Sequence, residues 1–260
     1  SRGRSWVGTD KDGVYVLDTN HQLIAHITDM PSTILSLAED KTGKIWAGAY
    51  VHGLGYIDPN TLLYNKVDLA GIKHLNIFDI KPDFRGNLWV ATMGHGLLRY
   101  NISDGSTKIY KADEDATNKR KKNALINGYI NQLALSKDQQ RLYVATTMGL
   151  CCLDIGRDSW VTTFGENVKH YGTNIRSVTE TSGKYLWYGS NDKGLAKRTL
   201  ANGEIRVFTE NDGLPDMGIA SIIMDKDNNL WVGTDHGLCL MEEKTGKVKY
   251  CFYVDDGLQS

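Results

Sequence analysis

Large charge of one sign is the first thing missing: 30 Lys and Arg stand against 31 Asp and Glu, a net charge of -1 over 260 residues. No global field draws this chain to a nucleic-acid backbone or an anionic membrane surface. Long apolar runs are missing too. The stretch Ile219-Ala220-Ser221-Ile222-Ile223-Met224 falls far short of the ~20 residues that cross a bilayer, and no charged-then-apolar leader opens the chain. The chain reads as soluble or as a soluble piece, without membrane contact of its own. It starts at Ser1 rather than Met, so processing is expected to have set at least one end. Cysteine is scarce: Cys151, Cys152, Cys239 and Cys251 form no C-x-x-C pair of the kind that chelates zinc or runs redox chemistry. They are expected to behave as small buried hydrophobes. In an exported protein Cys152 or Cys251 could pair, with connectivity left open by sequence. With 41% hydrophobic and 23% charged residues, disorder and collagen are excluded, and the length suffices for a sizeable core.

What is present is a repeat. The phrase "apolar-aromatic-apolar-Gly/Ala-Thr, then Gly-Leu" occurs as Ser5-Trp6-Val7-Gly8-Thr9 with Gly13-Val14, as Ile45-Trp46-Ala47-Gly48-Ala49 with Gly53-Leu54, and as Leu88-Trp89-Val90-Ala91-Thr92 with Gly96-Leu97. It returns as Leu142-Tyr143-Val144-Ala145-Thr146 with Gly149-Leu150, Leu186-Trp187-Tyr188-Gly189-Ser190 with Gly194-Leu195, and Leu230-Trp231-Val232-Gly233-Thr234 with Gly237-Leu238. The aromatic position advances by 40, 43, 54, 44 and 44 residues, at the period of about 40–45 that marks propeller blades. The long step holds an inserted loop, 111–128. Each period lays out four short β-type runs bounded by turn residues; in the last copy they are 219–225, 230–235, 238–242 and 248–254. Turns such as Asp225-Lys226-Asp227-Asn228-Asn229 and Asp40-Lys41-Thr42-Gly43-Lys44 place Gly or Asn where positive φ is needed. They begin like a calcium loop, yet lack its Gly and Glu positions, so no metal is expected.

The expected fold is all-β: a β-propeller of four-stranded antiparallel blades, with about six repeats at 1–30, 31–70, 71–112, 125–168, 172–212 and 216–260. The aromatic position is a blade-to-blade packing residue, since an indole buries on the order of 200 Å². The first repeat starts at its Trp strand, so 23 strands are spelled rather than 24, and Asp256-Gly257-Leu258 echoes Asp212-Gly213-Leu214, the loop that leads into a new blade. This reads as a stretch of a longer, seven-bladed array.

Strand order sorts the loops into two faces. The turn between the second and third strands and the link to the next blade share one face. That face gathers Tyr50, His52, His95, Asp192, Lys193 and His236 from turns, and Lys73, His74, Lys169, His170 and Tyr171 from links. His, Lys and Asp groups with Tyr50 or Tyr171 as an aromatic platform suit a polar ligand or a sugar. The competing reading is that residues before Gly in tight turns vary freely. A metal reading of the histidines lacks a carboxylate at fixed spacing. The run Asn118-Lys119-Arg120-Lys121-Lys122-Asn123 in the insertion is the one dense basic segment, a solvated loop tip or a dock for an anionic glycan.

The phrase Asp225-Lys226-Asp227-Asn228-Asn229-Leu230-Trp231-Val232-Gly233-Thr234-Asp235-His236-Gly237-Leu238, preceded by Asn211-Asp212-Gly213-Leu214-Pro215, resembles the two-component regulator propeller repeat. The resemblance extends along nearly the whole chain and is weakest in the fourth copy, where Tyr143 replaces Trp. It implies a periplasmic sensor segment of a hybrid two-component receptor of gut bacteria, often responding to oligosaccharides, non-catalytic and cofactor-free, joined to the rest of a receptor that acts as a homodimer. No β-sandwich, membrane helix, kinase His motif or receiver domain lies in these residues, so signalling output resides elsewhere. Against an enzyme, there is no nucleophile elbow, phosphate loop or H-E-x-x-H. Two alternatives remain: a propeller lyase or glycoside hydrolase drawing acids from distant blades, with Gly55-Tyr56-Ile57-Asp58-Pro59 of lyase flavour, and a protein-interaction or dimerisation scaffold.

Overall fold

Short β-favouring runs punctuated by Asp, Asn and Gly leave no stretch for a long helix, and the chain folds as antiparallel blades. A computed structural model of the chain describes residues 3–69, 71–112, 124–161 and 174–258. Those residues hold 23 strands, the number spelled by the repeat. The first blade has three: β1 (Ser5–Gly8), β2 (Val14–Leu17) and β3 (Leu23–Ile27). The second is β4 (Ile34–Glu39), β5 (Ile45–Ala49), β6 (Gly53–Ile57) and β7 (Tyr64–Val67), and the third β8 (Ile77–Pro82), β9 (Asn87–Thr92), β10 (Leu97–Asn101) and β11 (Thr107–Tyr110). The fourth is β12 (Ile130–Leu135), β13 (Arg141–Thr146), β14 (Gly149–Asp154) and β15 (Ser159–Trp160). The fifth is β16 (Ile175–Thr181), β17 (Tyr185–Ser190), β18 (Leu195–Thr199) and β19 (Ile205–Phe208), and the sixth β20 (Ile219–Met224), β21 (Asn229–Thr234), β22 (Gly237–Glu242) and β23 (Val248–Phe252). In every blade the strands follow one another in space as in sequence, each antiparallel to the next.

Two compact units divide the chain: Ser1–Lys111 with Gly128–Ile130, and Ala112–Asn127 with Asn131–Ser260. Within each unit the core lies between consecutive blades. In the first, Val14, Val16 and Ile27 meet Ile34, Ile45 and Ala47, and Trp46 and Leu54 meet Ile77, Ile80, Leu88 and Val90. In the second, Tyr143 and Cys152 meet Val178, Leu186 and Tyr188, while Trp187 and Phe208 meet Ile219, Ile222 and Leu230. Alternate residues of one strand thus serve two different interfaces, which is why β5 is buried along its whole length. Trp89, Trp187 and Tyr143 are 0% exposed, so the repeated aromatic is a packing residue as its position implies.

Two further features of the repeat have a packing cause. The first strand bulges at one place in four blades, between Ile34 and Ser36, Ile77 and Asp79, Ile175 and Ser177, and Ile219 and Ser221. The Gly of the repeat lets the next blade's leading Ile approach: a Cβ on Gly48 would meet Ile77 Cγ2 at 2.5 Å, and one on Gly189 would meet Ile219 at 2.2 Å.

The Asp of the first hairpin turn also has a defined task. Asp40, Asp83 and Asp225 each accept the indole N–H of the Trp six residues on, at 2.8, 3.0 and 3.0 Å, while their other oxygens take turn N–H groups. The acidic turns are therefore indole anchors. Burial pushes the Asp40 carboxyl up, but hydrogen bonds from Thr42 and Trp46 outweigh it and hold it below the ordinary carboxylate value.

Candidate functional site

The turn between the second and third strands of a blade is built from the Thr that ends the repeat phrase. Thr92 Oγ1 donates to the Gly96 carbonyl at 2.6 Å and accepts the His95 N–H at 3.2 Å. Thr234 does the same with Gly237 and His236, and Thr146 with Gly149 and Met148. In three blades the following Gly adopts positive φ and ties the turn to the link entering the next blade: Gly13 donates to Ser32, Gly53 to Leu75, and Gly194 to Met217. Gly194 (φ +79°) has no room for a side chain, since a Cβ would stand 2.2 Å from the Phe208 carbonyl. Turns and links thus share one end of each blade, as strand order requires.

The second blade departs from this pattern. Ala49 stands where the others have Thr or Ser, so its turn has no hydroxyl to close on. Beside the shared bond from Gly53 N–H to the Leu75 carbonyl at 3.0 Å, it is supported by the link through Asn76 Oδ1, which accepts the Val51 N–H at 2.6 Å, and through His52, which bridges to Leu75 in parallel. Val51 is held at φ +65°, a conformation a β-branched residue adopts only under constraint. The link is itself a tight turn, with Gly71 N–H on Asp68 Oδ1 at 3.0 Å, Ile72 N–H on the Leu69 carbonyl at 3.1 Å and His74 at φ +55°.

Between this turn and link lies a cavity of about 780 Å³. Its polar rim is His52, Lys66, Asp68, Lys73 and His74, and its apolar lining Leu54, Leu69, Ile72 and Leu75. Two lysines face one aspartate, leaving the rim basic by one formal charge with histidine neutral. Such a rim over an apolar floor can take a ligand with an apolar face and hydroxyl or acidic substituents.

Of the residues singled out from sequence, His52, Lys73 and His74 are brought together here. Lys66 and Asp68 were missed; Lys66 lies in β7 and Asp68 just after it, where the repeat phrase carries no signal. Tyr50 is exposed beside the cavity without lining it, and His95 is exposed on the turn of the third blade. Of the three histidines at this repeat position, His52 lines the cavity of the first unit. His236, Asp192 and Lys193 belong to the second unit and are engaged locally. His236 Nδ1 lies 2.6 Å from Asp216 Oδ2, Asp235 pairs with Arg176 at 2.7 Å, and Lys193 stands 3.6 Å from Asp192. The Gly218 N–H, together with His236, lowers the Asp216 carboxyl below its ordinary value. Lys169, His170 and Tyr171, and the basic run 118–123, lie outside the described residues. Among the described residues no group of three or more His, Cys, Asp and Glu could hold a metal, and no helix is long and apolar enough to cross a membrane.

A second cavity, of about 810 Å³, lies in the second unit among Lys137, Arg141, Arg157, Asp154 and Glu180. Its groups are committed to the fold: Glu180 accepts the Tyr143 hydroxyl at 2.7 Å and the Lys137 N–H at 2.9 Å, and Asp154 caps the Arg157 N–H. Burial, and then the Glu180 hydrogen bond, push the Tyr143 hydroxyl far up. This is the structural answer to Tyr in place of Trp, since a Tyr hydroxyl reaches the neighbouring blade rather than its own turn.

The family model of the two-component regulator propeller matches residues 213–236, from the glycine leading into the sixth blade to the His236 turn. One copy of the two-component regulator propeller repeat therefore lies at the sixth blade. The matched span holds both elements described above, the Asp225–Trp231 anchor and the Thr234 turn. Among solved structures, the chain is similar to the extracellular domain of the putative hybrid two component system BT3049 from B. thetaiotaomicron. The TM-score is 0.82 at 20% identity, covering 99% of this chain and 34% of that one. It is also similar to the computationally designed Ika8 protein, with a TM-score of 0.67 at 16% identity, covering 100% of this chain and 73% of that one. At such identities the likeness shows the fold alone, and the chain spans about a third of the BT3049 extracellular domain. No curated protein matches the chain.

Proposed function

We propose that this two-component regulator propeller is a non-catalytic sensor module of the extracytoplasmic region of a receptor, and that it takes an oligosaccharide in the cavity of the second blade. The observation that carries the reading is the convergence of His52, Lys73 and His74 on one cavity, where the usual Thr-closed turn is replaced by a turn held open on the link. The matched repeat and the likeness to a receptor's extracellular domain support the sensor assignment. The basic rim favours acidic sugars over neutral ones, because an exposed uronate would meet Lys66 and Lys73 without losing water to a fully dry site. Signalling would follow from different ligand affinity in two arrangements of a receptor homodimer, since only differential binding shifts a population. The remaining receptor domains and a second copy of the receptor are the expected partners, at a periplasmic location.

Titration calorimetry with neutral and uronate-containing oligosaccharides, followed by product analysis, tests the proposal. Saturable binding with the sugar recovered intact is expected, weakened at least fivefold by Lys73→Ala and by His52→Ala. Cleaved sugar would replace the sensor with an enzyme, and absence of saturable binding would leave the blades as scaffold.

A further inference from the structure

Two cysteines of the sixth blade stand opposite one another. β22 and β23 pair with Leu238 facing Phe252, Cys239 facing Cys251 and Leu240 facing Tyr250. The two Sγ atoms lie 2.7 Å apart, and both point toward the Gly213 carbonyl, at 3.9 and 3.4 Å. We propose that Cys239 and Cys251 are a cross-strand modification site that closes to a disulfide in oxidising surroundings. Directly opposed residues of antiparallel strands have Cα atoms about 4.5–5.5 Å apart, inside the ~4.4–6.8 Å range that a disulfide spans without backbone movement. The sequence left the connectivity open, with Cys152 or Cys251 able to pair; Cys152 packs in the core between the fourth and fifth blades, and Cys151 accepts the Ile126 N–H.

The order of events follows from burial. Cys239 is 0% exposed and Cys251 only half-buried, so Cys251 meets the oxidant first. As a thiolate it attacks a small-molecule or protein disulfide, forming a mixed disulfide and releasing one thiol. Cys239 then loses its proton and displaces the second thiol. Two protein thiols and one external disulfide become one protein disulfide and two external thiols, so both electrons end on the oxidant. Burial, aided by the hydrogen bond to Cys251, raises the Cys239 thiol, which suits a resolving rather than an attacking role. The bond would pin β23, where Lys249, Tyr250 and Phe252 are exposed, to β22, where Cys239 and Met241 are buried.

The test is exposure of the chain to oxidised glutathione, then denaturation, thiol titration and peptide mapping. The expected result is a mass lower by two hydrogens, two of the four thiols titratable and a linked peptide joining residues 239 and 251. Dithiothreitol should lower the melting temperature of the wild type but not of Cys251→Ser, whose hydroxyl can still reach Gly213. Four titratable thiols after oxidation, or a link mapped to any other pair, would overturn the assignment.

Discussion

The second and fifth blades break the same repeat at opposite ends. In the second, Asp40 anchors the Trp46 indole at 2.8 Å, but Ala49 leaves the far turn without its hydroxyl. In the fifth, Ser190 accepts the Lys193 N–H at 2.7 Å, but Thr181 stands where Asp40 does, and neither Thr181 Oγ1 nor Trp187 Nε1 has a hydrogen-bond partner. Both indoles are buried, at 2% and 0% exposure. A blade therefore tolerates loss of either device, because packing against its neighbours carries most of the stability and each hydrogen bond adds about 0.5–1.5 kcal/mol. The two losses differ in outcome. The fifth blade leaves a polar atom unpaired in the core, whereas the second blade's turn without its hydroxyl is held by the neighbouring link and stands beside a cavity.

The largest effect that would break the comparison is expected from Asp40→Ala. It strands the Trp46 N–H as Trp187 already is, and also removes the acceptor of Thr42 and Lys44. Urea unfolding should show a loss of about 2–3 kcal/mol. Because the Asp40 carboxyl sits below its ordinary value in the folded chain, its contribution is full above the unfolded pKa of about 3.9 and disappears as pH falls through the folded value. The gap between wild type and variant should accordingly narrow in acid; a gap unchanged at pH 3 would mean the carboxylate charge is irrelevant.

Thr181→Asp is the converse. Thr181 and Trp187 are six residues apart, as Asp40 and Trp46 are, so the new carboxylate should reach the stranded indole and stabilise by about 1 kcal/mol at neutral pH. Destabilisation of the same size would show that the fifth blade lacks the space or the turn donors that make the anchor work.

The smallest effect is expected from Ala49→Thr, which supplies the missing turn hydroxyl at a position where Thr92 and Thr146 fit fully buried. Stability should rise by about 0.5 kcal/mol, while oligosaccharide affinity in calorimetry falls as the turn settles on itself. Unchanged affinity would separate the cavity from the turn geometry.

Much of this was legible because a repeat reports its own register. The aromatic spacing located every blade, and the turn residues located the strands, since positive φ at Gly43, Gly86, Gly183 and Asn228 falls where the hairpins demand it. The Asp of the first turn in the second, third and sixth blades was visible as a pattern, but its partner was not, because an indole N–H six residues on is reached only once two strands have paired. Likewise His52, His95 and His236 looked equivalent in sequence, and it took the packed link of the second blade to set His52 at a cavity. Lys66 and Asp68 joined it from an outer strand with no recurring residue to mark it.

Sequence by itself determined the blade, its four-strand order, the face shared by turns and links, and the two-component regulator propeller repeat. These depend on local periodicity and turn chemistry, which act over a few residues. Only the tertiary structure decided which turn stands beside a cavity, which indoles are left unpaired and which two thiols meet. Each of those depends on a contact between segments brought together by strand pairing and blade packing, across separations that no local pattern encodes.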